Sequence, residues 1–359
     1  MSATPKPPVR FSPALETVEP DEAQTVAQLE GSFDEILRTT SRDYGKAVRG
    51  VHAKAHGILE AELEILSDLP AEVAQGLFAR SGRHKVLMRF STNPGDVLDD
   101  SIGLPRGLAW KVMDVDGERL PGAAGRTQDF IMVNGPVFPA PNPKKFAGNL
   151  KLLSKTTDKA EWAKKALSFA LRGAEAVLEA VGTESATLKN MGGAPNSHPL
   201  GETYYSVVPF RHGDHVAKYQ VAPVSAGLTA LTGTRIDTAG RPDAIREDMQ
   251  AAIARTDAVW EVRVQLMRDP ETMPIEDATV EWQQAESPFV TVARLHAAPQ
   301  DSWATTKVAH VDDNLRFSVW TGLAAHQPLG GINRVRRPVY EHSADFRRAF
   351  NGCPLHEPG

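Results

Sequence analysis

One cysteine, Cys353, among 359 residues removes several chemistries at once. It excludes an internal disulfide, a cysteine-rich zinc site and a cysteine-bound iron–sulfur cluster, so any redox chemistry has to come from a bound cofactor. A basic excess is missing too. The 40 Lys and Arg stand against 45 Asp and Glu, a formal charge of −5, which argues against nucleic acid as a partner. The first twenty residues hold Pro5, Pro7, Pro8, Pro13 and Pro20 but no apolar h-region; residues 1–24 read as a loosely structured N-terminal arm without a secretory signal. The longest candidate membrane stretch, Trp162 to Val181, carries Lys164, Lys165, Arg172, Glu175 and Glu179, charges that are costly in lipid. Its apolar residues recur at steps of three and four, as on an amphipathic surface helix, and the expectation is a cytoplasmic protein with no membrane span. A GxGxxG after a strand, a GxxxxGK[ST] loop and an HExxH pair are also absent, which leaves the dinucleotide, P-loop and zincin readings without their motifs.

What is there is the mix of a soluble globule, 41% hydrophobic and 24% charged, long enough for one large domain or two ordinary ones. Periodicity predicts helices over Thr25–Arg38, Ala71–Ala79, Pro242–Arg255 and about Pro338–Phe350, besides the block Glu161–Gly182. Lys85–Ser91, Leu108–Val115, Asp129–Val133, Thr203–Val208, Val216–Val221, Ala258–Met267 and Pro288–Leu295 read as strands. Asp116-Gly117 before Glu118–Leu120, and His212-Gly213-Asp214, are hairpin signals. Short strands joined by hairpins predict an α+β fold built on one antiparallel sheet, left open or closed into a barrel, with helices outside it. No shift in composition supports two domains.

The C-terminal helix carries Arg336, Tyr340 and Arg347 at i, i+4 and i+11, within about 40° of one another on a helical wheel. Pro338 has no N–H to give and is expected in the first turn. A cation beside a phenol favours the phenolate, a hard ligand suited to ferric iron; an amphipathic tyrosine between solvated arginines has the same spacing. In the N-terminal half, Arg49-Gly50-Val51-His52 precedes Arg89-Phe90-Ser91 and then Asn134 to Phe138. Strand alternation lets Arg89 and Ser91 point together. His, Ser and Asn around Val51 make a polar nest on an apolar floor, with a hydrogen-bonded core histidine as the plain alternative. His52 and His56 have metal-like i,i+4 spacing, but no third ligand is evident.

RGVHAKAH at 49–56, RFST at 89–92, PRGLAWK at 105–111, DFIMVNGPVF at 129–138 and the Arg336–Tyr340 pair resemble, in the same order, the landmarks of the haem catalase family. Residues 275–282 and 287–289 resemble that family's later core strands. The resemblance implies a ferric haem b with Tyr340 as proximal iron ligand and Arg336 as the cation that supports it. It makes His52 the distal histidine, Ser91 the residue orienting its other ring nitrogen, and Asn134 the distal amide. Arg49, Arg89 and Arg347 match the arginines that pair with haem propionates; Val51 lies against the distal haem face and Phe138 stacks on the haem. It also implies one α+β domain over 25–359, with a closed antiparallel β-barrel core over about 44–300, helices around it, and the proximal helix over about 332–350.

Three positions depart from the family pattern. Leu104 stands where catalases place a channel aspartate, Asn93 where they place a channel-narrowing valine, and Pro139 where they have a second phenylalanine, for which Phe146 is the nearest substitute. These departures shift the expectation from efficient disproportionation to a catalase-like haem peroxidase. It would reduce hydrogen peroxide, organic hydroperoxides or both with an electron donor, and keep weak catalase activity. One alternative is a fatty-acid hydroperoxide dehydratase or lyase of the allene oxide synthase type; such enzymes place a threonine where this chain has Val51. Another is a non-catalytic haem-binding protein, which needs Tyr340 but neither His52 nor Asn134. The assembly expected is a homodimer.

Overall fold

The computed structural model of the chain describes residues 6–154 and 194–352; the helix read over Glu161–Gly182 and Cys353 lie outside them. Nine strands are described: β1 (Ala55–Ile65), β2 (Gly82–Thr92), β3 (Arg106–Val112), β4 (Gln128–Val133), β5 (Tyr204–Tyr205), β6 (Phe210–His212), β7 (His215–Pro223), β8 (Ala258–Leu266) and β9 (Val290–Ala297). They form one sheet in the order β5-β4-β3-β2-β1-β9-β8-β7-β6, and a further pairing of β5 with β7 closes eight of them into an antiparallel barrel. Strand β6 is the hairpin partner of β7. The helices that matter here are α1 (Glu22–Tyr44), α2 (Pro143–Ser154), α3 (Ala244–Ile253) and α4 (Gly331–Asn351). Outside the barrel, Leu29, Phe33, Ile36 and Leu37 of α1 bury against Ala147 and Leu150 of α2 and Val335 and Val339 of α4.

Strand alternation fixes which side chains leave the barrel. Val86, Met88 and Phe90 of β2, with Leu108, Trp110 and Val112 of β3, belong to the central core. The period of two then puts Arg89, Ser91, Gly107 and Ala109 on the outer face. Register aligns them in two rungs: Arg89 pairs with Ala109, which pairs with Ile131; Ser91 pairs with Gly107, which pairs with Val133.

Several expected elements take another form. Residues 71–79 hold only a 3-10 turn over Gly76–Ala79, because Gly76 sits at φ +56 and breaks the run. Glu118–Leu120 is no strand; Arg119 makes a single bridge to Leu323, a partner distant in sequence. Thr203–Val208 shrinks to Tyr204–Tyr205, since Val207 at φ +55 ends the extended run. The predicted turn at Gly213-Asp214 does form, with Gly213 at φ +61, but its first strand is β6. Strand β1 is an addition to the expected set: its first five residues are buried on both faces, but Leu59–Ile65 alternates apolar and Glu residues, a strand signal present in the sequence. Helix α4 starts at Gly331, so Pro338 lies inside it and not in its first turn. Its N-terminus is held by carboxylates instead: Glu16 and Glu276 accept from the N–H groups of Gly330 and Gly331 at 2.8 and 2.7 Å. The proline-rich N-terminal segment is also tied down, by Val9 N–H to Met267 O and Phe11 N–H to Asp214 O, both 2.8 Å.

Candidate active site

A cavity of about 600 Å³, part of it continuous with solvent, lies between the outer face of β2–β4 and helix α4. Its sheet wall carries Arg89, Ser91, Gly107, Ala109 and Ile131. Its helix wall carries Tyr340, Ser343, Ala344 and Arg347, a stripe at i, i+3, i+4 and i+7. Arg49, Val51 and His52 border it from the loop before β1, and Phe33 and Phe317 add aromatic surface.

His52 is the most constrained of these residues. Its backbone sits at φ +53, a conformation costly for a side chain with Cβ. Backbone bonds from His52 N–H to Asn93 O (2.8 Å) and Ala53 N–H to Pro94 O (2.9 Å) hold the strained loop along the end of β2. Its Nδ1 lies 3.1 Å from Ser91 Oγ. Burial, then the cations Arg89, Arg336 and Arg49, push His52 down to about 3, so the ring is neutral at pH 7 and able to take a proton. Gly107 makes room for it: a Cβ there would stand 2.4 Å from His52 Cε1 and 2.5 Å from Nδ1.

Cations gather at another part of the wall. Arg49 Nη1 and Arg89 Nε reach the same oxygen, Asp312 Oδ1, at 2.5 and 2.7 Å. Arg49 also donates to the carbonyls of Asp312 and Leu315 at 2.7 and 3.0 Å. The two guanidiniums hold Asp312 at about 2 against the desolvation that opposes ionisation. Arg347 is buried and its Nε has no partner; desolvation lowers it to about 10. Arg316 and Arg347 also line the cavity, so four arginines border it, against the one carboxylate, Asp312, that Arg49 and Arg89 reach: an excess of cations. A planar, largely apolar group bearing two carboxylates fits that excess, the unpartnered Nε and the apolar walls together. Haem b has those properties, and Tyr340 supplies an oxygen donor on the helix wall.

Of the residues singled out from sequence, Arg49, Val51, His52, Arg89, Ser91, Tyr340 and Arg347 border this one cavity. Asn134, Phe138 and Arg336 do not border it. Asn134 Oδ1 accepts from Arg106 N–H at 2.7 Å. Phe138 packs against Phe146, rings 5.1 Å apart, in a cluster with Val207, Val208 and Ile332. Arg336 donates to Asn333 Oδ1 at 3.2 Å, one turn back. Leu104 is buried, its carbonyl accepting from Arg106 Nη1 at 2.5 Å. The i,i+4 spacing of His52 and His56 does not lie on a helix: His52 is in a loop and His56 is on β1, and among the described residues no group of three or more His, Cys, Asp or Glu could hold a metal ion. Sequence reasoning missed Asp312, Gly107, Ser343 and Asn333. Ser343 Oγ accepts from Gly50 N–H at 3.2 Å and ties α4 to the His52 loop. Asn333 is fully buried, donating to Pro209 O at 3.0 Å and to Leu329 O at 3.1 Å. Gly107 was inside a quoted motif; the others carried no signal.

A family model described as catalase matches residues 43–312, well over half of the chain. The chain belongs to the catalase family. Solved structures agree on the catalase fold. Catalase A from Saccharomyces cerevisiae superposes with a TM-score of 0.59 at 19% identity, covering 89% of this chain and 65% of that one. A fungal catalase gives 0.59 at 18%, covering 89% and 63%. A bacterial catalase gives 0.59 at 17%, covering 99% and 67%. The chain therefore spans about 65% of the length of the yeast catalase. No curated protein matches by sequence. The matched span ends at Asp312, before α4 and Tyr340. Among the described residues no helix is long and apolar enough to cross a membrane.

Proposed function

We propose that this chain is a catalase-type haem peroxidase that reduces hydrogen peroxide or organic hydroperoxides with an external electron donor, with weak disproportionation. The supporting observation is the convergence in one cavity of a neutral, positioned His52, Tyr340 and an excess of arginine cations. Tyr340 would hold the iron, with Arg336 one turn earlier in α4 supporting it. Arg49, Arg89 and Arg347 would pair with the propionates. Bound haem supplies the redox-active iron that takes up the oxidising equivalents of the peroxide. His52, its Nδ1 facing Ser91, uses Nε2 to accept the peroxide proton and return it to the leaving oxygen, base then acid. Asn134, its oxygen fixed by Arg106 N–H and its side chain outside the cavity lining, would have to turn its amide nitrogen inward to orient the peroxide. Leu104, Asn93 and Pro139, in place of the family's Asp, Val and Phe, favour peroxidase turnover over oxygen release.

The test is the absorption spectrum of haem-supplemented protein beside Tyr340→Phe, followed by oxygen release and dye oxidation measured together. A high-spin ferric band in the wild type, altered or lost in the variant, and dye oxidation exceeding oxygen release are expected. A colourless protein overturns the cofactor. Oxygen release at the rate of full-length catalases overturns the peroxidase preference. An epoxide or aldehyde formed from a lipid hydroperoxide, in place of the alcohol, moves the chain to the dehydratase or lyase class.

A further inference from the structure

The barrel interior holds a second ordered constellation, separate from the cavity. Tyr219 Oη lies 3.0 Å from His212 Nδ1 and 2.8 Å from His326 Nδ1, and all three residues are fully buried. The far nitrogens fix both tautomers. Leu77 N–H donates to His326 Nε2 at 2.9 Å, so the proton of His326 is on Nδ1 and points at Tyr219. His212 Nε2 faces Val73 O at 2.9 Å, so it carries the proton and leaves Nδ1 as an acceptor. The Tyr219 hydroxyl therefore accepts from His326 and donates to His212. Burial keeps both imidazoles neutral, His212 lowered to about 4 and His326 well below its usual value. Burial also raises the Tyr219 phenol well above its ordinary value, so it cannot ionise first. Such a phenol loses an electron only if its proton leaves with it, and His212 Nδ1 is in hydrogen-bond contact to receive that proton.

An aromatic path joins this tyrosine to the cavity. Phe130 meets Tyr219 edge-on at 5.1 Å and stacks on Trp110 at 4.2 Å and 14°. Trp110 Nε1–H donates to Met132 Sδ at 3.2 Å, and Met132 borders the cavity. We infer that Tyr219 is a redox-active residue, oxidised across the barrel wall through Phe130, Trp110 and Met132, with His212 as its proton acceptor. The inference rests on the peroxidase reading, which supplies the oxidant left in the cavity when peroxide is reduced. In the step one electron passes from Tyr219 to that oxidant and the O–H bond breaks. The proton forms a new N–H bond at His212 Nδ1, leaving a neutral tyrosyl radical beside an imidazolium. An electron from a reductant reverses both movements.

The experiment is rapid-freeze electron paramagnetic resonance of haem-loaded protein mixed with one equivalent of peroxide and no donor. The wild type is expected to give an organic radical whose hyperfine pattern narrows when the protein is grown on ring-deuterated tyrosine. Tyr219→Phe is expected to lose that signal while keeping the resting haem spectrum and the bleaching of the haem band by peroxide. Trp110→Phe leaves the Tyr219–histidine chain intact and is expected to delay the radical. A wild-type signal insensitive to deuterated tyrosine, or an identical signal in Tyr219→Phe, overturns the assignment. Bleaching of the haem band without any radical overturns the relay and leaves the peroxidase reading standing. No reaction of haem with peroxide removes both.

Discussion

On their inner face, β2 to β4 present Met88, Phe90, Trp110 and Phe130 to a closed interior where Tyr219, His212 and His326 satisfy one another's hydrogen bonds. On their outer face the same strands present Arg89, Ser91 and a glycine to a cavity that holds a strained histidine, a carboxylate shared by two arginines, and an unpartnered guanidinium nitrogen. Both faces are ordered by one register, so the difference is not one of folding quality. A polar network that is complete within the chain stabilises the chain. One left short of anions is organised for something brought in from outside.

The sharpest way to break the comparison is His52→Ala. The cavity reading expects turnover with peroxide to fall by about 10²–10⁴-fold, the share general acid–base catalysis carries, while haem stays bound. Unchanged turnover with haem retained would make the chain a haem binder with no distal role for His52. Changing His212, on the other face, touches no cavity residue, and haem content is expected to stay at the wild-type level.

Acid probes both faces at once. His52 and His212 are held at about 3 and about 4 when folded, against about 6.5 when unfolded. The unfolded chain therefore binds more protons between those values. The stability these neutral rings contribute is fully present above about pH 6.5 and is lost as pH falls toward their folded values. Between pH 7 and pH 5 each costs about 2 kcal/mol, read from urea unfolding of the haem-free protein. His52→Gln and His212→Gln are each expected to flatten this pH dependence by one such share. A slope unchanged in both variants would mean that other groups set the acid limit.

The sequence showed the landmarks better than the arrangement. RGVHAKAH, RFST and the Arg336–Tyr340 pair are short motifs whose residue types carry chemistry locally, and most of their side chains do meet in one cavity. Asp312 gave no signal, because its role comes from Arg49 and Arg89, 263 and 223 residues away. Helix α4 was read from Pro338 onward because a proline normally marks a first turn; Glu16 and Glu276, far off in the chain, fix an earlier start. Strand β1 was legible over Leu59–Ile65, where apolar residues alternate with Glu, and only its start, buried on both faces, lacks that pattern. Periodicity reports one-sided burial, and long-range partners leave no local trace.

Gly107→Ala tests whether the outer face is shaped around the His52 ring. The new Cβ stands 2.4 Å from His52 Cε1, and overpacking of this kind costs about 1–3 kcal/mol. The expected result is a modest drop in unfolding midpoint with a larger relative loss of turnover, since the ring has to leave its place beside Ser91. A variant that loses stability and activity in proportion would show only a packing role for the glycine.

The smallest expected effect is also the most discriminating. Arg347 is a buried cation whose Nε lacks a partner, so in the haem-free protein it is a net cost. Arg347→Leu keeps much of its apolar volume on the α4 stripe and removes that charge. The haem-free variant is expected to be more stable than wild type by about 1 kcal/mol, and the same variant to bind haem more weakly, with a smaller stability gain on adding it. The two shifts have opposite signs only if the cation is held in place for an anionic ligand. If Arg347→Leu lowers the stability of the haem-free protein, the guanidinium is part of the chain's own ion-pair network with Asp312, and the contrast between the two faces fails at that residue.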